Sequence, residues 1–364
     1  MIASAVLMAA CQPAPATPTD ARHIPSAVLG APKRIVTAVR SSPQVLFYNK
    51  LNLASAGLGV SDFEKLLAAG LTLPDQDDVL RPQLAEAVPT LENGRWTLMP
   101  DGRMETTWTI RQGAAWHDGA PFTTADLTFT MRVVRDRDLP SFADSSFDLI
   151  ERIDSVDDRT LRIVWKATFI EADSMFSYAH GVPLPRHLLE RAYLEDKANL
   201  VQHAYWGPQF VGAGAYKLRE AVQASHFVLE ANEQYVLGRP RIDVIEVRLF
   251  GDPNVVMTNL LAGTAEYVFD SRSLTFEGAL QIRDQWTGGT MQLARGSWVT
   301  IFPQQLNPNP AAVADPQFRR ALIMGVDRQA LVDTIQGGLS AVAHTCVHPT
   351  QPEYPHELPE PAQR

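Results

Sequence analysis

A chain of 364 residues, 45% hydrophobic and 20% charged, can hold two or three domains with real cores and has an ordinary globular composition. Its 32 basic and 41 acidic side chains leave a formal charge of −9. No Lys/Arg cluster interrupts that balance, which argues against nucleic acid or an anionic membrane surface as partner.

Two cysteines, Cys11 and Cys346, are too few for a disulfide framework. Residues 1–10 are a short apolar run ending in small residues, and Cys11 follows it. A Pro/Ala/Thr stretch from Gln12 to Thr19 then reads as an unpacked tether. The arrangement resembles a bacterial lipoprotein signal, with Cys11 as the lipid-bearing first mature residue and a run too short to span a bilayer. No Lys or Arg precedes Arg22, so the usual positive start is missing. The alternative is an unmodified cysteine in a plain N-terminus. On the lipoprotein reading the body sits in the periplasm or on the outer face of the cytoplasmic membrane, attached through lipid only.

The body opens near Lys33 with a short strand pattern, Arg34-Ile35-Val36-Thr37-Ala38-Val39. Residues 63–67 predict a helix closed by Gly70. Met104, Thr106, Trp108 and Ile110 alternate with Glu105, Thr107, Thr109 and Arg111, which predicts a strand with one apolar face. Thr123 is placed as an N-cap, with Asp126 completing a capping box and Phe122 and Leu127 forming a hydrophobic staple. Leu127, Met131 and Val134 continue one apolar face of that helix. A turn at Asp157-Asp158 precedes a strand over Thr160–Trp165, and Ile245, Val247 and Leu249 mark another. Asp252-Pro253 and Asp315-Pro316 each set a capping aspartate before proline at the first helical position. The first of these helices turns Val256 and Leu260 inward, ends at Gly263 and leads to a strand over 265–270. The second turns Phe318, Ala321 and Leu322 inward. Asp327 caps a last helix bearing Leu331 and Ile335 and stopped by Gly337-Gly338. Strands and helices mix without regular βαβ spacing, so the expected class is α/β in its mixed α+β form, with mixed sheets flanked by helices.

Three motifs invite a chemical reading. His117-Asp118 suggests a catalytic pair, but adjacent side chains in extended chain point apart and no third group has a role, so a turn is expected. Gly212-x-Gly214 lacks the third glycine and helix of a dinucleotide loop. His344-x-Cys346-x-His348, with His356 beyond, alternates like a soft-metal site, yet no fourth ligand is fixed and three prolines make the segment a loop. No metal and no cofactor is therefore expected, and no nucleophile–base–orienter set marks an enzyme.

Five segments in order resemble the bacterial extracellular solute-binding proteins of family 5, which serve oligopeptide, dipeptide and nickel ABC importers. The fullest runs from Thr109 through Arg111-Gln112-Gly113, Trp116-His117-Asp118-Gly119 and Pro121-Phe122-Thr123 to Leu127. Leu80-Arg81-Pro82-Gln83-Leu84-Ala85-Glu86 precedes it. Phe210-Val211-Gly212-Ala213-Gly214-Ala215-Tyr216 follows, with alanines where the family writes threonine and proline. The stretch from Arg241 to Glu266 and that from Asp315 to Gly338 complete the set.

The resemblance implies a periplasmic-binding-protein-like class II fold with two lobes and an inserted smaller domain. On it, residues 1–32 are signal and tether, 33–45 and 205–288 the first lobe, 46–204 the inserted domain, and 289–364 the start of an incomplete, C-terminally truncated second lobe. It implies capture of an oligopeptide or similar small solute, delivery to an ABC permease, and a monomer. Tyr48, Tyr178, Trp298, Phe302 and Asn307 are the cleft residues it suggests, since aromatic walls suit peptide-like ligands. Uptake of nickel or a metal chelate is the alternative within the family, and a secreted hydrolase the alternative outside it.

Overall fold

The computed structural model describes residues 31–40, 60–222, 224–269, 273–292 and 302–335, with 337–338, 341–343, 345 and 354. Contacts divide the chain after Pro32, and every element below belongs to the unit from Lys33 to Arg364. It opens with β1 (Arg34–Val39) and α1 (Val60–Leu67), followed by the short strands β2 (Thr72–Pro74) and β3 (Leu80–Pro82). Next come β4 (Trp96–Leu98), β5 (Met104–Thr109), α2 (Thr124–Val134), β6 (Ile150–Ser155), β7 (Thr160–Trp165) and α3 (Arg186–Glu195). Then follow β8 (Tyr216–Val222), β9 (His226–Ala231), β10 (Val244–Leu249), α4 (Pro253–Leu261) and β11 (Tyr267–Val268). The helices α5 (Phe276–Gln285), α6 (Pro316–Gly325) and α7 (Arg328–Ile335) complete the order.

Two sheets carry the architecture. A five-stranded mixed sheet runs β11-β1-β10-β9-β8, with β1 parallel to both its neighbours and the β8–β9–β10 edge antiparallel. Being central and covered on both faces, β1 needs apolar side chains on both. Ala38 points to α4 and α5, in a core with Val256, Leu260 and Ile282, while Val39 joins Phe227, Leu229, Ile245 and Val247 on the other face. A four-stranded antiparallel sheet runs β4-β5-β7-β6. The alternation along β5 is as expected: Met104, Thr106 and Trp108 are buried, and the first and last pack with Ile163, Trp165 and Ile150.

Helix α2 stands between the two large cores. Leu127 and Val134 enter the core of the four-stranded sheet, and Phe129 and Val133 enter that of the five-stranded sheet. Leu127, Met131 and Val134 thus share one face as expected, and Phe129 and Val133 form a second. At its start the Asp126 carboxylate accepts the Thr123 N–H at 2.9 Å, and the Asp126 N–H returns to the Thr123 carbonyl at 3.1 Å. Phe122 and Leu127 are both buried in one core, as a staple requires.

Asp252 caps α4 as expected, accepting the Asn254 N–H at 2.7 Å. Asp252→Ala should cost ~1 kcal/mol, read as a lower urea midpoint with unchanged slope. The strand expected over 265–270 pairs regularly only at Tyr267–Val268, because Ala265 turns inward against α4 and α5.

The last two helices depart from expectation. Asp315 and Asp327 do cap them, at 2.8 Å to the Gln317 N–H and 2.9 Å to the Ala330 N–H. Yet Phe318, Ala321 and Leu322, expected inward, are exposed, as are Leu331 and Ile335, and Val332 is the buried residue of α7. Amphipathic spacing marks a face that suits a core, and among the described residues no layer is packed on this one. No helix of the described residues is long and apolar enough to cross a membrane.

Candidate functional site

Of the expected cleft residues, Tyr178, Phe302 and Asn307 fall among the described ones. Tyr178 packs on the core of the five-stranded sheet, where its hydroxyl donates to the Glu64 carbonyl at 3.0 Å and burial drives its phenol pKa well up. Phe302 is 87% exposed, and Asn307, also exposed, takes a positive φ of 52°. Tyr48, Trp298, Cys11, His344, Cys346 and His348 lie outside the described residues. Among the described residues no group of three or more His, Cys, Asp or Glu side chains could hold a metal.

What the structure does bring together is the motif residues themselves. The His117 N–H donates to the Gly212 carbonyl at 2.7 Å, and the Gly212 N–H donates back to His117 Nδ1 at 3.1 Å. With Nδ1 accepting, the ring proton sits on Nε2, which donates to the Gly214 carbonyl at 3.1 Å. The same carbonyl accepts from buried Asn232 Nδ2 at 3.0 Å, and Lys217 Nζ donates to the His117 carbonyl at 2.8 Å. Gly214 N–H donates to Leu67 O at 2.9 Å, joining the end of α1 to the same knot. Burial, helped by the nearby Lys217 charge and opposed by the Gly214 bond, pushes His117 down to about 4. The neutral ring that these bonds require is thus the form present at pH 7.

His117 and Asp118 do point apart. Asp118 faces His187, with Oδ2 and Nε2 2.7 Å apart. Burial raises its carboxyl, but the His187 and Ala120 bonds outweigh this and hold it below the ordinary value. Beside the knot lies an open recess of about 410 Å³ lined by His117, Asp118, Lys217, Glu230, Glu233 and Gln234. Its lining is already engaged: Lys217 with the His117 carbonyl, Asp118 with His187, and Glu233 with Arg239. The knot ties the segment after β5 to the segment before β8 by hydrogen bonds.

Upstream, the Pro82-Gln83-Leu84 segment works in the same way. Gln83 Oε1 accepts the Gly70 N–H at 2.9 Å and Gln83 Nε2 donates to the Tyr235 hydroxyl at 3.0 Å. Arg111 Nε donates to the Gln83 carbonyl at 2.9 Å.

One constellation was not readable in advance. Ser146 Oγ lies 3.0 Å from His180 Nδ1, and His180 Nε2 lies 3.3 Å from Glu171 Oε2. This has the membership of a nucleophile, base and orienter, but not the proton arrangement. Ser146 donates its hydroxyl proton to Asp144, so it can only accept from His180. The bond to Asp144, against burial, raises the His180 pKa. The cluster clasps the turn Ser145–Leu149 to the segment before α3. Ser146 and His180 stand 34 residues apart, so no local spacing announces it.

Comparison with known proteins follows the geometry. The family model described as bacterial extracellular solute-binding proteins, family 5 middle, matches residues 80–364. The oligopeptide-binding protein AppA of Bacillus subtilis is 24% identical over 302 residues, which is 83% of this chain and 52% of AppA. The solved structure of AppA with a nonapeptide superposes with a TM-score of 0.66 at 21% identity, covering 90% of this chain and 61% of that one. NikZ of Campylobacter jejuni with Ni(L-His) gives 0.63 at 18% identity, covering 86% and 57%. The shared fold is the class II periplasmic-binding-protein fold. The chain spans about half the length of the curated relatives it matches.

Proposed function

The chain belongs to the bacterial extracellular solute-binding proteins of family 5, and from that membership we propose that it is the solute-binding subunit of an ABC importer. It captures a peptide-like solute between two lobes and hands it to a permease in the cytoplasmic membrane. The observation that carries this reading is the family match over residues 80–364. The name of AppA, an oligopeptide-binding protein, supports a peptide as the solute. Residues 33–45 with 205–288 form the first lobe, 46–204 the inserted domain and 289–364 the opening of the second. Tyr48, Tyr178, Trp298, Phe302 and Asn307 remain the proposed ligand-facing residues. Cys11 carries lipid, and the protein works as a monomer outside the cytoplasmic membrane.

Binding needs no covalent step. Solute that bridges two lobes stabilises the closed arrangement by its differential affinity for it. The Ser146–His180 cluster supports a binder over a hydrolase, because its hydroxyl proton is already committed to Asp144.

The test is titration of the purified protein with an oligopeptide pool, followed by thermal unfolding and small-angle scattering. At a hundred times Kd, a ligand specific to the folded state should add ~2.7 kcal/mol of stability. The radius of gyration should fall with it. No stabilisation and no compaction with any peptide would overturn the reading, and tight stoichiometric uptake of nickel instead would replace peptide by metal chelate.

A further inference from the structure

We infer that Asn93 is a site of covalent modification, losing its side-chain amide to attack by the Gly94 backbone nitrogen, and that the turn around it restrains this reaction. Asn93-Gly94 is the one Asn-Gly step in the chain, and every other asparagine precedes Lys, Leu, Glu, Val or Pro. Glycine matters here because it sets no Cβ beside the attacking nitrogen. Both residues are exposed. Gly94 takes a φ of 69°, and a carbon added to it would meet nothing within 4 Å, so water and base reach the step from outside.

In the folded turn both reacting groups are engaged. Asn93 Oδ1 accepts the Thr90 and Arg95 N–H groups, each at 3.0 Å, and Nδ2 donates to the Val88 carbonyl at 2.8 Å. The Gly94 N–H donates to the Leu91 carbonyl at 3.2 Å. Reaction needs the Asn93 side chain to leave those partners, so it proceeds from the locally opened turn. There the Gly94 nitrogen gives its proton to hydroxide and bonds to Asn93 Cγ. The Cγ–Nδ2 bond breaks, and Nδ2 takes up a proton and departs as ammonia. Water then opens the succinimide, giving aspartate by cleavage at Cγ or isoaspartate by cleavage at the backbone carbonyl.

Neither product rebuilds the turn. A carboxylate accepts but does not donate, so the oxygen in place of Nδ2 would face the Val88 carbonyl, acceptor against acceptor. Isoaspartate adds a methylene to the backbone and displaces Gly94 from the Leu91 carbonyl. The Trp96 N–H closes the same turn on the Thr90 carbonyl at 3.1 Å, and Trp96 begins the edge strand β4. Loss of the amide therefore loosens one edge of the four-stranded sheet, irreversibly. The inference rests on this turn and not on the solute, so a failure to bind peptide leaves it standing.

The test is peptide mapping by mass spectrometry of the full chain, incubated at mildly alkaline pH with and without urea. Conversion at residue 93 is expected in both, ~10-fold or more slower in the native protein, since several hydrogen bonds must open first. Thr90→Ala removes the hydroxyl that accepts the Asn93 N–H at 3.2 Å, and should speed the native reaction by about 5-fold. Asn93→Gln, whose longer side chain closes the ring far more slowly, should abolish the signal. Asn93→Asp places the product in the turn directly and should raise amide exchange at Trp96 by ~10-fold, leaving β8–β10 unchanged. Three results would overturn the inference. They are native conversion as fast as in urea, conversion absent from both the native protein and Thr90→Ala, and unaltered exchange at Trp96 in Asn93→Asp.

Discussion

Gly212→Ala is expected to lower stability by ~4 kcal/mol or more, a large share of the roughly 5–15 kcal/mol that holds a typical domain folded. A Cβ at position 212 would stand 2.8 Å from the Leu67 carbonyl carbon and closer still to its oxygen, with Phe210 Cε1 at 2.9 Å. Real Cβ atoms do not approach backbone so closely, and the backbone at Leu67 has no free direction in which to yield. It ends α1 and accepts the Gly214 N–H, and the Leu67 side chain is fully buried. Relief must come from separating α1 from the Phe210–Gly214 segment, and that breaks the two-way pairing of His117 with Gly212. Gly214→Ala meets the same obstacle, 2.5 Å from the Leu67 carbonyl carbon and 2.6 Å from Leu66 O. Gly251→Ala, with nothing within 4 Å of the added carbon, is the control and should change stability by less than about 0.5 kcal/mol. Urea unfolding of the three variants decides the matter. A Gly212→Ala protein as stable as the control would mean that the joint is loose and that the close approach is not maintained in solution.

Acid should strip about 3 kcal/mol from the protein as pH falls from 6.5 to about 4, through His117 alone. The folded ring has its pKa depressed from the ordinary 6.5 to about 4, so over that window the unfolded chain binds a proton that the folded one refuses. Stability is full above 6.5, declines on the way to 4 and then levels, since below that both states are protonated. A physical clash underlies the number: Nδ1 accepts the Gly212 N–H, and a proton there would face a donor in a site from which water is largely excluded. His180 acts in the opposite sense, because its raised folded pKa contributes stability below 6.5 that fades as pH rises through the folded value. The two are separated by substitution. In a His180→Asn background the stability lost as pH rises above 6.5 should vanish while the loss below 6.5 keeps its slope, and His117→Asn should remove that loss while lowering stability at pH 7. An unchanged pH profile in the His117→Asn protein would show that its ring is not held neutral by this site.

Local signals were legible wherever the chain states its own geometry. Asp252 before Pro253 and Thr123 before Asp126 open helices where expected, because capping is decided within four residues. Strand β5 alternates as read, because the pleat sets its period. The His117-Asp118 pair was rightly read as a turn, and the structure adds that each side chain serves a different partner. What could not be read was the role of the motif that identifies the family. Gly212 and Gly214 lie nearly a hundred residues from His117, and only the folded chain reveals that these glycines are required by the close passage of α1.

Phe318, Ala321 and Leu322 of α6, expected inward, stand exposed for a related reason. Spacing reports that a face is apolar, but burial depends on whether another layer arrives to cover it. Sequence alone therefore determined elements such as β5, α2 and α4, their caps and the family, since each is written in side chains a few positions apart and in ordered motifs. Tertiary structure alone decided that His117 is a buried ring bonded to Gly212 and Gly214, that Ser146 and His180 form a clasp, and that α6 lies open. Those outcomes depend on which distant backbone groups meet, and on the desolvation that follows when they do.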